Sequence, residues 1–130
     1  MKVPVKKRRA RKDIARTFLR LAATGRVREA YDRFVGPGFR HHNPYFRGDA
    51  DSLRTGMEEA HARFPRTSIE IQRALEEGNL VAVHSRVRHG PASPDIAVVH
   101  VFRFRGVRIV ELWDVAAEAP ATSPNANGMF

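Results

Sequence analysis

The stretch Val98–Val115, VVHVFRFRGVRIVELWDV, constrains this chain more than any other. Residues 96–104 and 108–115 are rich in β-branched and aromatic side chains, which is the composition of strands. Gly106 between them takes a positive φ without steric cost, so the pair reads as a hairpin closed by a short loop. Loop length fixes the pairing, and pairing decides which side chains share a face. A two-residue loop at Arg105-Gly106 sets His100 opposite Glu111. A three-residue loop with Gly106 in a bulge sets His100 opposite Leu112 and Val98 opposite Asp114. The second register is preferred, because it gathers Arg103, Arg105 and Glu111 on one side. It joins Val98, His100, Phe102, Val110, Leu112 and Asp114 on one face. Val99, Val101, Arg103, Ile109, Glu111 and Trp113 then hold the other.

In that register Asp114 sits among Val, Phe and Leu. Desolvation disfavours its charged form, so its pKa is expected to rise. A carboxylate of that kind beside a histidine suits proton transfer near neutral pH. The competing reading is a structural aspartate, hydrogen-bonded at a strand end. Spacing alone leaves both open.

At 130 residues the chain is one domain, long enough for a real core. It has no cysteine, so disulfides and thiolate chemistry are excluded. No run of about 18 apolar residues occurs, so no membrane partner is expected. The N-terminus lacks the apolar stretch of a secretion signal, and a cytoplasmic location is the default. The net charge of +9 resembles a nucleic-acid signal but is unevenly placed. Residues 1–12 carry seven Lys and Arg and no acid, leaving 16 basic and 14 acidic side chains in the rest. The basicity belongs to a tail, expected to be disordered and able to touch phosphates non-specifically. No nucleic-acid recognition motif accompanies it.

Along the chain, Asp13 is a plausible N-cap for a helix through Ala23, with Ile14, Phe18, Leu21 and Ala22 at core spacing. A second helix is expected over Val27–Val35, stopped by Gly36-Pro37-Gly38. Phe39–Phe46 is a short extended piece or loop, where only one of His41 and His42 can face inward. A third helix should run from Asp51 or Ser52 to about Arg63, burying Leu53, Met57, Ala60 and Phe64. Glu58, Glu59 and His61 read as its solvated face. Strands Thr67–Leu75 and Leu80–Arg88 follow, joined around Glu77-Gly78-Asn79. His84 and Arg86 point to a pocket or to solvent, and pattern does not decide. His89–Asp95 is a loop, and residues 120–130 form a loose end whose Phe130 can dock on the body. Helices followed by meandering strands mean α+β, with a concave pocket as the default small-molecule site.

Several motifs resemble one family. They are His42-Asn43-Pro44, Glu77-Gly78-Asn79-Leu80-Val81-Ala82-Val83-His84-Ser85-Arg86, Val99-His100-Val101-Phe102-Arg103, Ile109-Val110-Glu111-Leu112-Trp113-Asp114-Val115 and Asn127-Gly128-Met129-Phe130. Together they resemble the SnoaL-like family of the nuclear transport factor 2-like superfold, in its aldol condensation-catalysing branch. The resemblance covers about residues 13–130. It implies an α+β cone, with three N-terminal helices packed on a curved, mainly antiparallel sheet that encloses a pocket. It also implies a homodimer through the outer sheet face. In the family's polyketide cyclases an aspartate serves as general acid/base for an aldol closure, without metal or cofactor. Asp114 matches that aspartate, and His100 matches a histidine beside it. His42 and His84 match recurrent histidines. The substrate contacts expected are therefore His42, His84, Arg86, Phe102 and Tyr45.

The chain then divides into a basic tail (1–12), one domain (13–118) and a docking tail (119–130). The function implied is acid/base chemistry on a small carbonyl compound: aldol-type cyclisation, isomerisation or dehydration. The alternative is a non-catalytic small-molecule-binding dimer of the same fold. The basic tail is not a family feature, and short loops argue against a large polyketide. A set of His42, His84, His100 and Asp114 could hold zinc or iron, but no tight ligand spacing such as HExxH occurs. No metal and no cofactor are expected.

Overall fold

Two glycine turns and one parallel edge strand build the sheet. The computed structural model describes residues 9–130, in the order α1 (Arg11–Ala23), α2 (Val27–Phe34), β1 (Val35–His41), α3 (Ala50–Arg63), β2 (Ser68–Glu77), β3 (Leu80–Arg88), β4 (Ile96–Arg105) and β5 (Arg108–Glu118). The strands form one five-stranded sheet in the order β1-β5-β4-β3-β2. The β2–β3, β3–β4 and β4–β5 pairs are antiparallel, whereas β1 runs parallel to β5. The fold is α+β, with a correction to the expected order: the third helix follows a strand. That strand was hidden by Gly36-Pro37-Gly38, which reads as a helix stop. Here these residues carry an irregularity in the β1–β5 pairing between Val35 and Arg40. A Cβ at Gly36 would come within 2.9 Å of the Arg108 Cβ, so the two strands approach too closely there for any side chain.

Gly78 and Gly106 each have φ near +60° (58° and 59°) at the first turn position of a hairpin, followed by a residue with negative φ. Gly-then-X with that sign pattern is what a type II′ turn needs. Glu77 therefore pairs with Leu80, and Arg105 with Arg108. The β4–β5 register consequently differs from the expected one. The loop is Gly106-Val107, and the irregularity falls inside β5, beside Val110. His100 lies opposite Asp114, and Phe102 opposite Leu112. A shift of two residues leaves a strand's faces unchanged, so Val98, His100, Phe102, Leu112 and Asp114 do share a face. Near the turn the irregularity breaks the alternation. Ile109 pairs with Phe104 and is fully buried, instead of lying on the outer face.

The inner face is the apolar one. Phe18 of α1 meets Phe102 edge-on at 5.9 Å and Tyr31 of α2 at 5.5 Å. Val81, Val83, Phe102 and Ile109 are fully buried around them. Each such side chain contributes on the order of 2 kcal/mol by leaving water. Arg11 ties α1 to both hairpin turns, donating from Nε to the Gly106 carbonyl and from Nη1 to the Gly78 carbonyl, each at 2.9 Å. Helix α1 begins at Arg11 with Ala10 at its N-cap, so Asp13 lies in the first turn and not at the cap. Residues 1–8 of the basic tail lie outside the described residues. The Asp49 side chain caps α3 by accepting from the Ser52 amide at 2.9 Å. Helix α3 packs against α2 and β1. Its Leu53 is buried, while Phe64 just beyond it is 36% exposed. A space remains between α3, α1 and the β2–β4 part of the sheet.

Candidate functional site

That space is a cavity of about 170 Å³. Leu19, Ala22 and Ala23 of α1 and Met57 and Ala60 of α3 form its roof. Ile69, Val87 and His100 line it from the sheet, and His61, Thr67 and His89 complete it. Among the described residues none of the lining side chains is Lys, Arg, Asp or Glu.

His100 is placed here by strand alternation. On β4 it shares a face with Val98 and Phe102, and its ring lies over Phe102 with centroids 6.0 Å apart. Phe102 itself is fully buried and serves as the floor under His100 rather than as a surface open to a ligand. Burial pushes the His100 imidazole down to about 4, against an opposing pull from the Asp114 carboxylate. The ring is therefore neutral at neutral pH. Its Nδ1 is buried without a hydrogen-bond partner among the described residues. Asp114 stands directly across from it on β5, on the side away from the cavity's β2 and β3 walls. Asp114 is partly exposed, and its Oδ2 accepts from Asn43 Nδ2 at 3.0 Å. Asn43 is itself held in a turn, its Oδ1 accepting from the Tyr45 amide at 3.0 Å. Pro44 favours the extended backbone that aims Asn43 at the sheet.

The other expected contacts lie elsewhere. Of the adjacent pair His41 and His42, the inward one is His41. It pairs with Leu112, accepts from the Asn43 amide at Nδ1 and donates from Nε2 to the Arg47 carbonyl. His42 faces the opposite side of the sheet. It stacks on Trp113 at 4.9 Å and bonds Glu111 Oε2 through Nε2 at 2.7 Å. Arg40 and Arg103 also donate to Glu111, at 2.8 Å and 3.1 Å. The hydrogen bond from Arg40, with those from His42 and Arg103, holds the Glu111 carboxyl down at about 2 against the cost of burial. His84 and Arg86 alternate with the buried Val83 and Ser85, so they share this outer face. Phe130 stacks on His84 at 5.9 Å, and Arg86 sits over the same ring at 4.2 Å. Tyr45 is 86% exposed on its loop. The structure thus brings His100, Asp114 and Phe102 together, and it places His42, His84, Arg86 and Tyr45 away from the cavity.

A family model described as a SnoaL-like domain matches residues 15–112. The chain belongs to the SnoaL-like domain family. No curated protein matches it. Among solved structures it is similar to an uncharacterized cystatin fold protein from Novosphingobium aromaticivorans, with TM-score 0.68, 23% identity, and coverage of 82% of this chain and 98% of that one. It is similar to an NTF2-like protein of unknown function from Cytophaga hutchinsonii, with TM-score 0.67, 17% identity, and coverage of 87% and 95%. It is also similar to IdmH from Streptomyces antibioticus, a proposed polyketide cyclase, with TM-score 0.66, 19% identity, and coverage of 83% and 92%. At these identities the likeness shows the fold.

The SnoaL-like match ends at Leu112, two residues short of Asp114. Metal chemistry through His42, His84, His100 and Asp114 does not fit, because the sheet separates the first two from the last two. Among the described residues no three His, Cys, Asp or Glu side chains gather to hold an ion. Nor is any helix there long and apolar enough to cross a membrane. Four site residues escaped the sequence reading: Asn43, His61, Thr67 and His89. His61 had a usable signal, since it follows Met57 by four residues and so shares its helix face. His89 and Thr67 had none, because they flank the far end of a hairpin and meet the helices only in three dimensions.

Proposed function

We propose that this SnoaL-like chain is a cofactor-independent enzyme performing acid/base chemistry on a small carbonyl compound. The observation that carries the reading is the pairing of His100 and Asp114 across β4 and β5, on the face that holds the cavity. In the step proposed, the Asp114 carboxylate takes a proton from the carbon α to the carbonyl, and the electron pair moves onto the carbonyl oxygen. Neutral His100 donates a hydrogen bond to that developing enolate without giving up its proton. In an aldol closure the enolate carbon attacks a second carbonyl, and protonated Asp114 returns its proton to the new alkoxide. In an isomerisation the proton returns to a different carbon. Asn43 holds the Asp114 carboxylate in place.

The test is exchange of the α-protons of cyclohexanone in D₂O, followed by NMR. The protein should accelerate exchange, and Asp114→Asn should slow it by about 100-fold or more. Undiminished exchange in that variant sinks the mechanism. One observation favours a second reading, a non-catalytic binder: Asp114 is outside the cavity lining and already hydrogen-bonded. A bound ketone recovered without deuterium would select it. The reading also includes a homodimer through the outer sheet face, where Leu75 (63%) and Val115 (69%) stand exposed. A monomer mass by sedimentation equilibrium would remove that part.

A further inference from the structure

The hydrogen-bonding groups around the cavity restrict what can occupy it. The Thr67 hydroxyl donates to the Phe64 carbonyl at 2.8 Å, so its proton is committed. His89 Nδ1 lies 3.4 Å from the same Oγ1, which is free only to accept. The His89 proton therefore belongs on Nδ1, and in the neutral ring Nε2 keeps a lone pair. The ring is held in this place by stacking on Phe64 at 4.4 Å. His100 has the opposite arrangement. Its Nδ1 is buried with no partner, and a buried N–H without an acceptor is the costlier orphan. Its proton therefore belongs on Nε2, the nitrogen left for a cavity occupant. The cavity thus carries a donor on β4, at the sheet, and an acceptor at the far end of the β2–β3 hairpin; the third histidine of the lining, His61 of α3, has its Nδ1 buried without a partner among the described residues and its Nε2 packed against Gly25.

Size and charge narrow the occupant further. A cavity of roughly 150 Å³ holds one benzene ring, and this one measures about 170 Å³. No charged side chain lines it among the described residues, so an ionic ligand would lose its hydration without a counter-charge. We propose that the cavity binds a neutral, single-ring hydroxy-carbonyl compound, its carbonyl on His100 Nε2 and its hydroxyl on His89 Nε2, with His89 the residue that selects for the hydroxyl. This names the substrate class of the site proposed above and rests on that site being where the carbonyl compound binds.

The probes are 4-hydroxyacetophenone, acetophenone and 4-methoxyacetophenone, with affinities measured by calorimetry on the full chain at neutral pH. The wild-type protein should bind the hydroxyl compound about tenfold tighter than either of the other two, the effect of one well-placed hydrogen bond. His89→Leu should bring the three within about threefold of one another, because the hydroxyl compound alone loses its partner. His89→Gln, whose amide oxygen also accepts, should restore part of the preference. Equal binding of all three by the wild-type protein overturns the proposal, as does absence of binding or a preference that survives His89→Leu. The wild-type comparison stands whether or not a variant folds. Binding is read without turnover, so failure of Asp114 as a base shows only in the exchange experiment, and failure of this assignment shows only here.

Discussion

The two faces of the sheet treat the same residue type in opposite ways. On the inner face His100 is half-buried and neutral, its Nδ1 buried without a partner among the described residues. On the outer face His42 is exposed, stacked on Trp113 and bonded to a carboxylate. The acids differ as well. Glu111 is buried among three basic partners, whereas Asp114, three residues on, is held by one neutral amide. The inner face is covered by helices, and among the described residues Asp114 is the one charge acting on His100, so desolvation decides protonation there. The outer face is open enough for long arginine side chains to reach Glu111 from the neighbouring strands, so ion pairing decides it. One strand, β5, serves both regimes by alternation.

The largest effect expected comes from the floor shared by His100 and the core. Phe102→Ala should cost about 3–5 kcal/mol in urea denaturation. A cost under 1 kcal/mol would mean that His100 does not rest on a packed surface. Next is the pH dependence of the inner face. The His100 pKa is depressed in the folded state, so the unfolded chain binds more protons between the two pKa values. Stability is full above about 6.5 and is lost as pH falls towards about 4, by on the order of 3 kcal/mol. His100→Leu should flatten that window. A wild-type protein equally stable across it would break the contrast.

Glu111 should behave differently. Its folded pKa is also depressed, so its contribution is present above the ordinary value of 4.5 and is lost only as pH falls towards about 2. Glu111→Gln should cost about 2 kcal/mol, through hydrogen bonds to charged partners, while leaving acetophenone binding unchanged. A loss of cavity binding would show that the two faces are coupled. The smallest effect expected is for Phe130→Ala, about 0.5–1 kcal/mol, from its contacts with His84 and Arg86. Retained α-proton exchange in that variant sharpens the assignment of His84 and Arg86 to the outer face.

Much of the hairpin was legible from local chemistry. Strand composition located β4 and β5, Gly106 marked their turn, and alternation grouped His100 with Phe102 and Asp114. The partner of His100 was not legible. Loop length and the irregularity beside Val110 together shift the register by two residues, and strand composition records neither. Strand β1 was missed for a related reason. Gly36-Pro37-Gly38 has no strand propensity, and its extended form is imposed by pairing with β5. Adjacent His41 and His42 were read as one in and one out. The family resemblance favoured His42 for the pocket, whereas the parallel pairing to Leu112 turns His41 inward.

By itself, then, the sequence determined the type of every element except β1, the glycine turns, the face shared by His100 and Asp114, and the family. Those depend on contacts between near neighbours in the chain, where periodicity and steric preference act directly. Only the tertiary structure decided that helix α3 leaves a cavity over β2–β4, that His61, Thr67 and His89 line it, and that His84 and Arg86 face away. Those facts depend on which sheet face the helices cover. Covering is settled by burying apolar area between segments tens of residues apart, an energy that no local pattern records.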